Sequence, residues 1–227
     1  MSDEIAAKAI VKELDYLPLA IEQAAALLQL GRFTLNNFIL GYQQHYHRLA
    51  NEKLPRGLLK YEKSLCLFTL IELLHSTIQD ESPHAAALLT LLSFLGPWRF
   101  PLAMFRPSFQ SEHMQILDAV VMRLDNAHLK AIITDGILLS LAVSHLSNAC
   151  LVKNSGNRES PESVSVHKVV CQWVFENTAE KEQWALAAAL TFSVYSLVSQ
   201  ETYVPFLPCR MQHLVMTKVL LEYCFPD

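Results

Sequence analysis

Residues 14–28 read LDYLPLAIEQAAALL, and this stretch predicts a helix that begins at Pro18. Proline suits the first turn of a helix, because its φ angle is already helical and its missing N–H would have no partner there. Asp15 is expected to accept a hydrogen bond from a free N–H group of that turn. The side chains expected to form the buried face are Ile21, Ala24, Ala25 and Leu28. The polar side chains expected to face solvent are Glu22, Gln23 and Gln29.

The composition indicates a mainly helical protein with a large core. Of the 227 residues, 52% are hydrophobic and 18% are charged, which is too apolar for a chain that is disordered as a whole. Glycine is scarce and Ala and Leu are abundant, which favours helices. The net charge of −4 supplies no basic field, so the composition argues against a general nucleic-acid binder.

The cysteines and the N-terminus indicate a cytoplasmic protein. The first ten residues, MSDEIAAKAI, are acidic and lack the apolar core of a signal peptide, so the thiols are expected to be reduced. The apolar stretch at 85–98 is too short for a membrane span and the one at 183–200 is too polar, so buried helices are expected in both. The cysteines show no C-x-x-C spacing: Cys66, Cys150, Cys171, Cys209 and Cys224.

Capping signals divide the first half of the chain into helices. Gly31 is expected to end the helix of the opening stretch, and Thr34 to cap the next one. Ser82 and Pro83 are expected to cap and open a further helix, which Gly96 closes. The remaining predicted helices lie at 2–11, 35–49, 61–77 and 114–124, with a polar linker at 51–60.

Residues 129–174 have a different pattern. Asp135 and Gly136 precede an apolar helix at 137–146. Two short strands are predicted at 150–153 and 164–166, on either side of a polar turn. Two strands and a turn after three helices are the plan of a winged helix. His167 follows the second strand and opens a helix at 168–175.

The predicted winged helix lacks the residues of a DNA reader. Its groove-facing helix would be the one at 137–148, ILLSLAVSHLSN, which has no Arg or Lys to contact guanine or phosphate. Near the wing lie three basic residues, Lys153, Arg158 and Lys168, but Glu159 and Glu162 offset their positive charge. We therefore expect a winged helix used for packing, with neither nucleic acid nor a membrane as partner.

Enzyme signatures are missing from the sequence. Each glycine is at least ten residues from the next, so no phosphate-binding loop of the G-x-x-x-x-G-K-[ST] type exists, and neither G-x-S-x-G nor H-E-x-x-H occurs. His45 and His47 form a close pair, but residues two apart on a helix do not face each other. We expect no catalytic residues and no metal site.

Four ordered stretches carry a resemblance to a known family. The opening stretch, YLPLAIEQAAALL, resembles the GLPLA-type motif of NB-ARC nucleotide-binding switch proteins, the STAND signalling NTPases, in its fungal-type form. SPHAAALLTLLSFLGPWRFPLAMF resembles the start of the winged helix of that family, and VSVHKVVCQWV resembles the histidine motif that closes it. FLPCRMQHLVMTKVLLEY resembles the start of the TPR-like arm. The resemblance is to the C-terminal part of such a protein, without its P-loop domain.

The resemblance implies a nucleotide site shared with another domain. The motif proline packs near the bound adenine, and its match is Pro18. The winged-helix histidine contacts the β-phosphate of ADP and holds the inactive state, and its match is His167. Leu17, beside the motif proline, joins them as an expected cofactor contact. ADP or ATP would bind only with a partner nucleotide-binding domain, supplied in cis or in trans.

The resulting prediction is a mainly α protein in which a helical bundle is followed by a winged helix with a short β-hairpin wing and a TPR-like helical pair. The expected units are 1–60, 61–176 and 177–227, the last with helices at 179–199 and 209–223. The expected function is a non-catalytic regulatory segment that packs on a nucleotide-binding domain and binds a protein partner through its C-terminal helices. The alternatives are a stand-alone TPR-like scaffold, a DNA-binding protein and an unrecognised enzyme.

Overall fold

The computed structural model describes residues 3–51, 62–97, 99–105, 126–157, 160–179, 181 and 184. These residues form a mainly helical protein with a small three-stranded antiparallel sheet. The elements are α1 (Asp3–Glu13), α2 (Pro18–Gln29), α3 (Phe38–Asn51), α4 (Glu62–Glu81), α5 (Pro83–Leu95), β1 (Arg99–Pro101), a 3₁₀-helix (Leu102–Phe105), α6 (Ala127–Thr134), α7 (Gly136–Asn148), β2 (Val152–Asn157), β3 (Ser160–Val166) and α8 (Lys168–Asn177).

The opening stretch folds as the helix that its sequence predicts. Pro18 is the first residue of α2, and Gly31, with a φ of 70°, ends it. The Gly31 N–H donates to the Leu28 carbonyl and the Arg32 N–H to the Leu27 carbonyl, both at 3.1 Å, which is the glycine-terminated end that satisfies the last carbonyls of a helix.

The start of α2 follows a sharp turn. Leu17 occupies the N-cap position, and its own side chain makes no cap hydrogen bond; the expected bond to Asp15 stays a prediction. Asp15 and Tyr16 adopt left-handed backbone conformations, with φ of 51° and 55°. Two left-handed residues in succession turn the chain sharply between α1 and α2.

The buried face of α2 is rotated from the predicted one. Gln23 is completely buried, although it was expected in solvent, and Ala25 is exposed, although it was expected in the core. Glu22 and Gln29 are exposed as predicted. The prediction of the face fails because residues 24–28 are all apolar, so the pattern alone does not mark which arc meets α4. The buried residues of the helix are Ala20, Gln23, Ala24, Ala26 and Leu27.

Of the next two capping predictions, that of Ser82 is confirmed and that of Thr34 is wrong. α3 begins at Phe38 rather than at the expected residue 35; the Thr34 carbonyl accepts the Phe38 N–H at 3.0 Å, and the Thr34 N–H donates to Asn37 Oδ1 at 2.7 Å. The Ser82 hydroxyl accepts from the Ala85 N–H at 3.4 Å at the start of α5.

Helix α5 lies at the centre of the fold. It packs against α4, α6, α7, α8 and β3, and all of its residues from Ala85 to Leu95 are buried except Thr90. A helix that is apolar on all sides belongs in a core of this kind. Within the described residues no single helix is long and apolar enough to cross a membrane; α6 and α7 reach that length together, but the chain bends by 113° between them.

The sheet is more extensive than predicted. Its strand order is β1-β3-β2, and the Cα of Val164 pairs with those of Phe100 and Asn154. β2 and β3 extend into the polar segment expected to be a turn, since pairing with a neighbour, rather than apolar alternation, sets their lengths. The expected first strand starts later as well, because Cys150 has a φ of 53° in the turn before β2.

The buried side chains form one cluster that runs from Ile10 to Val174 and includes Trp184. Residues on both sides of the predicted boundary at residue 60 contribute to it. Several predicted segments fall outside the described residues: most of the linker at 51–60, the helix at 114–124, nearly all of that at 179–199, and the helix at 209–223. The TPR-like pair belongs to this group.

Candidate functional site

His167 caps the N-terminus of α8. Its Nδ1 accepts a hydrogen bond from the Val169 N–H at 3.2 Å, and its side chain is otherwise exposed. An acceptor Nδ1 places the proton of the neutral ring on Nε2. The cap therefore leaves an outward N–H donor next to the free N–H groups of the first turn of α8.

Two charged side chains, Lys153 and Glu22, act on this imidazole. Burial lowers the pKa of His167, Lys153 lowers it further, and Glu22 acts in the opposite sense. Burial raises the pKa of Cys150, where Glu22 raises it further and Lys153 lowers it. Glu22 and Lys153 thus act on the same two groups. We call Glu22, Cys150, Lys153 and His167 the His167 cluster.

The cluster connects the opening stretch with the histidine motif. Pro18 and Glu22 are separated by one turn of α2, so they lie on the same face of the helix, and both are exposed. The face of α2 that carries Pro18 is therefore the face from which Glu22 acts on His167. The interaction with His167 comes from Glu22, one turn along the helix from Pro18.

Leu17, the third predicted site residue, lies in the wall of a separate cavity of about 790 Å³. This cavity, which we call the Tyr42 cavity, lies between α1, α3, α4 and the turn before α2. Pro18 and His167 are not part of its wall. The wall residues are Ala9, Lys12, Glu13, Asp15, Leu17, Ile39, Tyr42, Gln43, Tyr46, His47 and Cys66.

The floor of the Tyr42 cavity is formed by buried groups that satisfy each other. The Tyr42 hydroxyl and the Cys66 thiol are hydrogen-bonded, and both side chains are buried. Burial raises the pKa of Tyr42 well above its usual value, with the Cys66 contact and the charge of Glu13 among the further causes. At the mouth, Gln43 Nε2 donates to Glu13 Oε1 at 2.8 Å, which holds that carboxylate in place.

The close histidine pair on α3 does not converge. His45 Nδ1 lies 3.3 Å from Arg48 Nη2, and that guanidinium also contacts Glu72 Oε1 at 2.5 Å. The His47 ring instead packs edge-on against Tyr46. Where side chains are described, no group of three or more His, Cys, Asp or Glu residues is placed to hold a metal ion.

Sequence reasoning missed most of the residues that surround these sites. Glu22 was expected only to face solvent, and Lys153 only to sit near a turn. The spacing of Tyr42 and Tyr46 on one face of α3 was a readable signal, but it indicates a packed helix as well as it indicates a cavity wall. The partners of both tyrosines come from other elements, so their role depends on the tertiary structure.

Comparison with family models, curated proteins and solved structures produced no match for this chain. Its function is therefore proposed from its own residues and their geometry.

Proposed function

We propose that the chain is a cytoplasmic, non-catalytic regulatory segment of an NB-ARC-like signalling protein. It packs against a nucleotide-binding domain and contributes to ADP binding through Pro18 and His167. The observation that carries the proposal is the electrostatic interaction of Glu22 with His167, because Glu22 shares the exposed face of α2 with Pro18. Two stretches that are distant in the sequence, and that the family uses together, thus approach each other in this fold.

The chemistry of the His167 cluster suits a phosphate group. Anions bind at helix N-termini, where free N–H groups and the positive end of the dipole coincide. His167 adds an outward Nε2–H donor at the start of α8, and Lys153 adds a positive charge nearby. Because the pKa of His167 is lowered, chiefly by burial, its ring is neutral near pH 7 and acts as a hydrogen-bond donor rather than as a cation.

The element order from α5 to β3 supports a winged helix within this segment. Among the described residues, which leave out 106–125, the order is a helix, a strand, a short 3₁₀-helix, two helices and a two-stranded ribbon, and the sheet order is β1-β3-β2. In this assignment α7 is the helix that a DNA-binding member would insert in the groove. Its exposed apolar residues, Ile137 and Leu141, and its lack of Arg and Lys favour contact with protein.

The test adds a purified P-loop domain of an NB-ARC protein to the full chain and measures the binding of a fluorescent ADP analogue. His167→Asp keeps an N-cap acceptor for α8 but replaces the phosphate donor with a negative charge, so we expect at least about tenfold weaker binding. Pro18→Ala is expected to weaken binding less. Glu81→Gln, at the exposed end of α4, is the matched control and should change nothing.

Two results would contradict the proposal. One is nucleotide binding to the mixture that is unaffected by His167→Asp, with the circular dichroism of the variant unchanged. The other is ATP hydrolysis by the isolated chain at a useful rate that His167→Ala abolishes, since a regulatory segment without a P-loop has no hydrolytic site of its own.

A stand-alone helical scaffold is the second candidate, and one observation favours it. Ile137 is 73% exposed and Leu141 is 52% exposed, one turn apart on α7. Exposed apolar pairs of this kind mark docking surfaces for other proteins. If the chain is a scaffold, a captured partner is lost with Leu141→Asp and retained with both Pro18→Ala and His167→Asp.

A further inference from the structure

The Tyr42 cavity has the size of a small-molecule site. Its volume of about 790 Å³ lies within the range of roughly 300–1,000 Å³ that ligand pockets occupy. Its floor is buried, whereas four of its wall residues are exposed and form the mouth: Lys12, Glu13, Asp15 and His47. Among the described wall residues the charged groups lie at the mouth, an arrangement that orients a ligand with one apolar and one polar end.

Aromatic rings line one wall of the cavity and are held in position. The rings of Tyr42 and Tyr46 are 6.0 Å apart between centroids and tilted by 44°. Tyr42 also stacks on Phe38, with centroids 6.1 Å apart and an angle of 5°, and Phe33 packs edge-on against Phe38. Because this row of rings fixes the wall, a flat ring can pack on it without ordering loose side chains.

The floor offers a ligand little hydrogen bonding. The Tyr42 hydroxyl and the Cys66 thiol bond to each other, and Ala9, Leu17 and Ile39 add half-buried apolar side chains to the wall. A polar group pushed to this depth would lose its water without gaining partners. The interior therefore favours the apolar end of a ligand.

The charges at the mouth favour a cation. Among the described residues of the wall, Glu13 and Asp15 carry carboxylates, Lys12 carries an ammonium and His47 carries an imidazole. Burial is the largest cause of the raised pKa of Cys66, the Tyr42 contact lowers it, and both carboxylates raise it further. The negative charges of Glu13 and Asp15 at the mouth therefore also act on the Cys66 thiol at the floor. Tyrosine rings also attract cations through their faces.

We propose that the Tyr42 cavity binds a flat aromatic amine, with its ring on the wall formed by Tyr42 and Tyr46 and its ammonium at the mouth beside Glu13 and Asp15. This site is separate from the His167 cluster and does not depend on the proposed role in nucleotide binding. It selects against phosphate-bearing ligands, because their charge would meet the two carboxylates. Leu17 contributes to this site as an apolar wall residue.

Three indoles that share the ring and a two-carbon side chain, and differ in the charge of the group at its end, test the proposal on the full chain. Tryptamine is the cation, 3-ethylindole is neutral and indole-3-propionate is the anion. We expect tryptamine to bind about tenfold more tightly than 3-ethylindole and indole-3-propionate to bind most weakly, measured by calorimetry and by NMR shifts of the tyrosine rings. Equal binding of all three, tighter binding of the anion, or no binding of tryptamine would overturn the proposal.

Two variants examine the carboxylates without disturbing the fold. Glu13→Gln retains a side chain that can bond to Gln43, and Asp15→Asn retains a residue that tolerates the φ of 51°. Each is expected to weaken tryptamine binding about threefold, as for a partly exposed ion pair, and the two together about tenfold. Glu81→Gln is the matched control. Unchanged binding in the double variant would overturn the proposal.

The proposed nucleotide site and the proposed amine site can each be contradicted without contradicting the other. His167→Asp is expected to leave tryptamine binding unchanged, and the double variant Glu13→Gln with Asp15→Asn to leave binding of the ADP analogue unchanged. If His167→Asp abolishes tryptamine binding while the variant keeps its circular dichroism, the amine does not bind in the Tyr42 cavity and this inference is wrong.

Discussion

Glu22 on α2 and His167 at the start of α8 interact electrostatically, although they come from opposite ends of the described chain. Lys153, which follows the first residue of β2, acts on the same imidazole with the opposite sign. The charge state of His167 is therefore balanced between two elements that the sequence places far apart. This balance is open to direct measurement, because all three side chains are exposed.

The first prediction concerns the pKa of His167. Burial lowers it, Lys153 lowers it further and Glu22 raises it, so Glu22→Gln should lower the pKa and Lys153→Gln should raise it. NMR titration of the ring in each variant measures the shift. Glu81→Gln should leave the titration unchanged. Two variants that shift the pKa in the same direction, or not at all, would show that α2 and β2 do not approach the histidine together.

The second prediction concerns Gly41, in the second turn of α3. A Cβ at this position would overlap the ring of Phe33, which is held by its edge-on contact with Phe38. Gly41→Ala should therefore lower the free energy of unfolding by about 1–3 kcal/mol, although helix propensity alone predicts a gain of about 1 kcal/mol. Denaturation in urea measures the difference.

A matched glycine and a second substitution control for propensity. Gly136 starts α7, and a Cβ there meets nothing within 4 Å, so Gly136→Ala should be neutral or stabilising. In a Phe33→Ala background, the additional cost of Gly41→Ala should largely disappear. A stabilising effect of Gly41→Ala in the otherwise unchanged chain would refute the contact.

The third prediction concerns the buried amide of Gln23. In the described part of the protein neither its Oε1 nor its Nε2 has a hydrogen-bond partner, and the side chain is fully buried. An unsatisfied buried amide costs about 1–3 kcal/mol, so Gln23→Met, of similar length, should raise the free energy of unfolding by about 1–2 kcal/mol. Gln29→Met, on the exposed face of α2, should change it by less than about 0.5 kcal/mol. A loss of stability with Gln23→Met would mean that the amide has a partner.

The fourth prediction concerns stability at acid pH. The ring of His75 packs against Trp173 with centroids 5.2 Å apart, and burial lowers its pKa. The unfolded chain therefore binds this proton more readily than the folded chain, and stability falls as the pH drops below the unfolded value of about 6.5. His75→Phe keeps an aromatic ring against Trp173 and removes the proton site.

Thermal unfolding between about pH 7.5 and about pH 5.5 measures this effect. The fall in Tm should be smaller in His75→Phe than in the unsubstituted chain. Ser76→Ala, at the exposed neighbouring position of α4, has no titratable group, provides the comparison and should leave the pH dependence unchanged. An equally steep fall in His75→Phe would show that another group carries the acid sensitivity.

Local signals in the sequence were sufficient to place the ends of most helices. Pro18 begins α2, Gly31 ends it, and Ser82 and Asp135 cap α5 and α7. These positions are predictable because a cap is satisfied by atoms only a few residues away: Asp135 Oδ1, for example, accepts from the Ile137 N–H at 2.8 Å. The mainly helical composition is predictable for the same reason, since helical hydrogen bonds are local.

The tertiary structure decided which helix faces are buried and which residues from separate elements contact each other. Gln23 is buried because it lies on the face of α2 that packs against α4. The residues that follow it, 24–28, are all apolar, so their periodicity does not predict which face of the helix is buried. β2 and β3 are long because each has a partner strand. The approach of Glu22 to His167, and of Tyr42 to Cys66, depends on the packing of separate helices around α5. The sequence by itself determined where most of the helices begin and end, because capping and helical hydrogen bonds are short-range; the strand lengths and the candidate sites arise from contacts between elements distant in the chain.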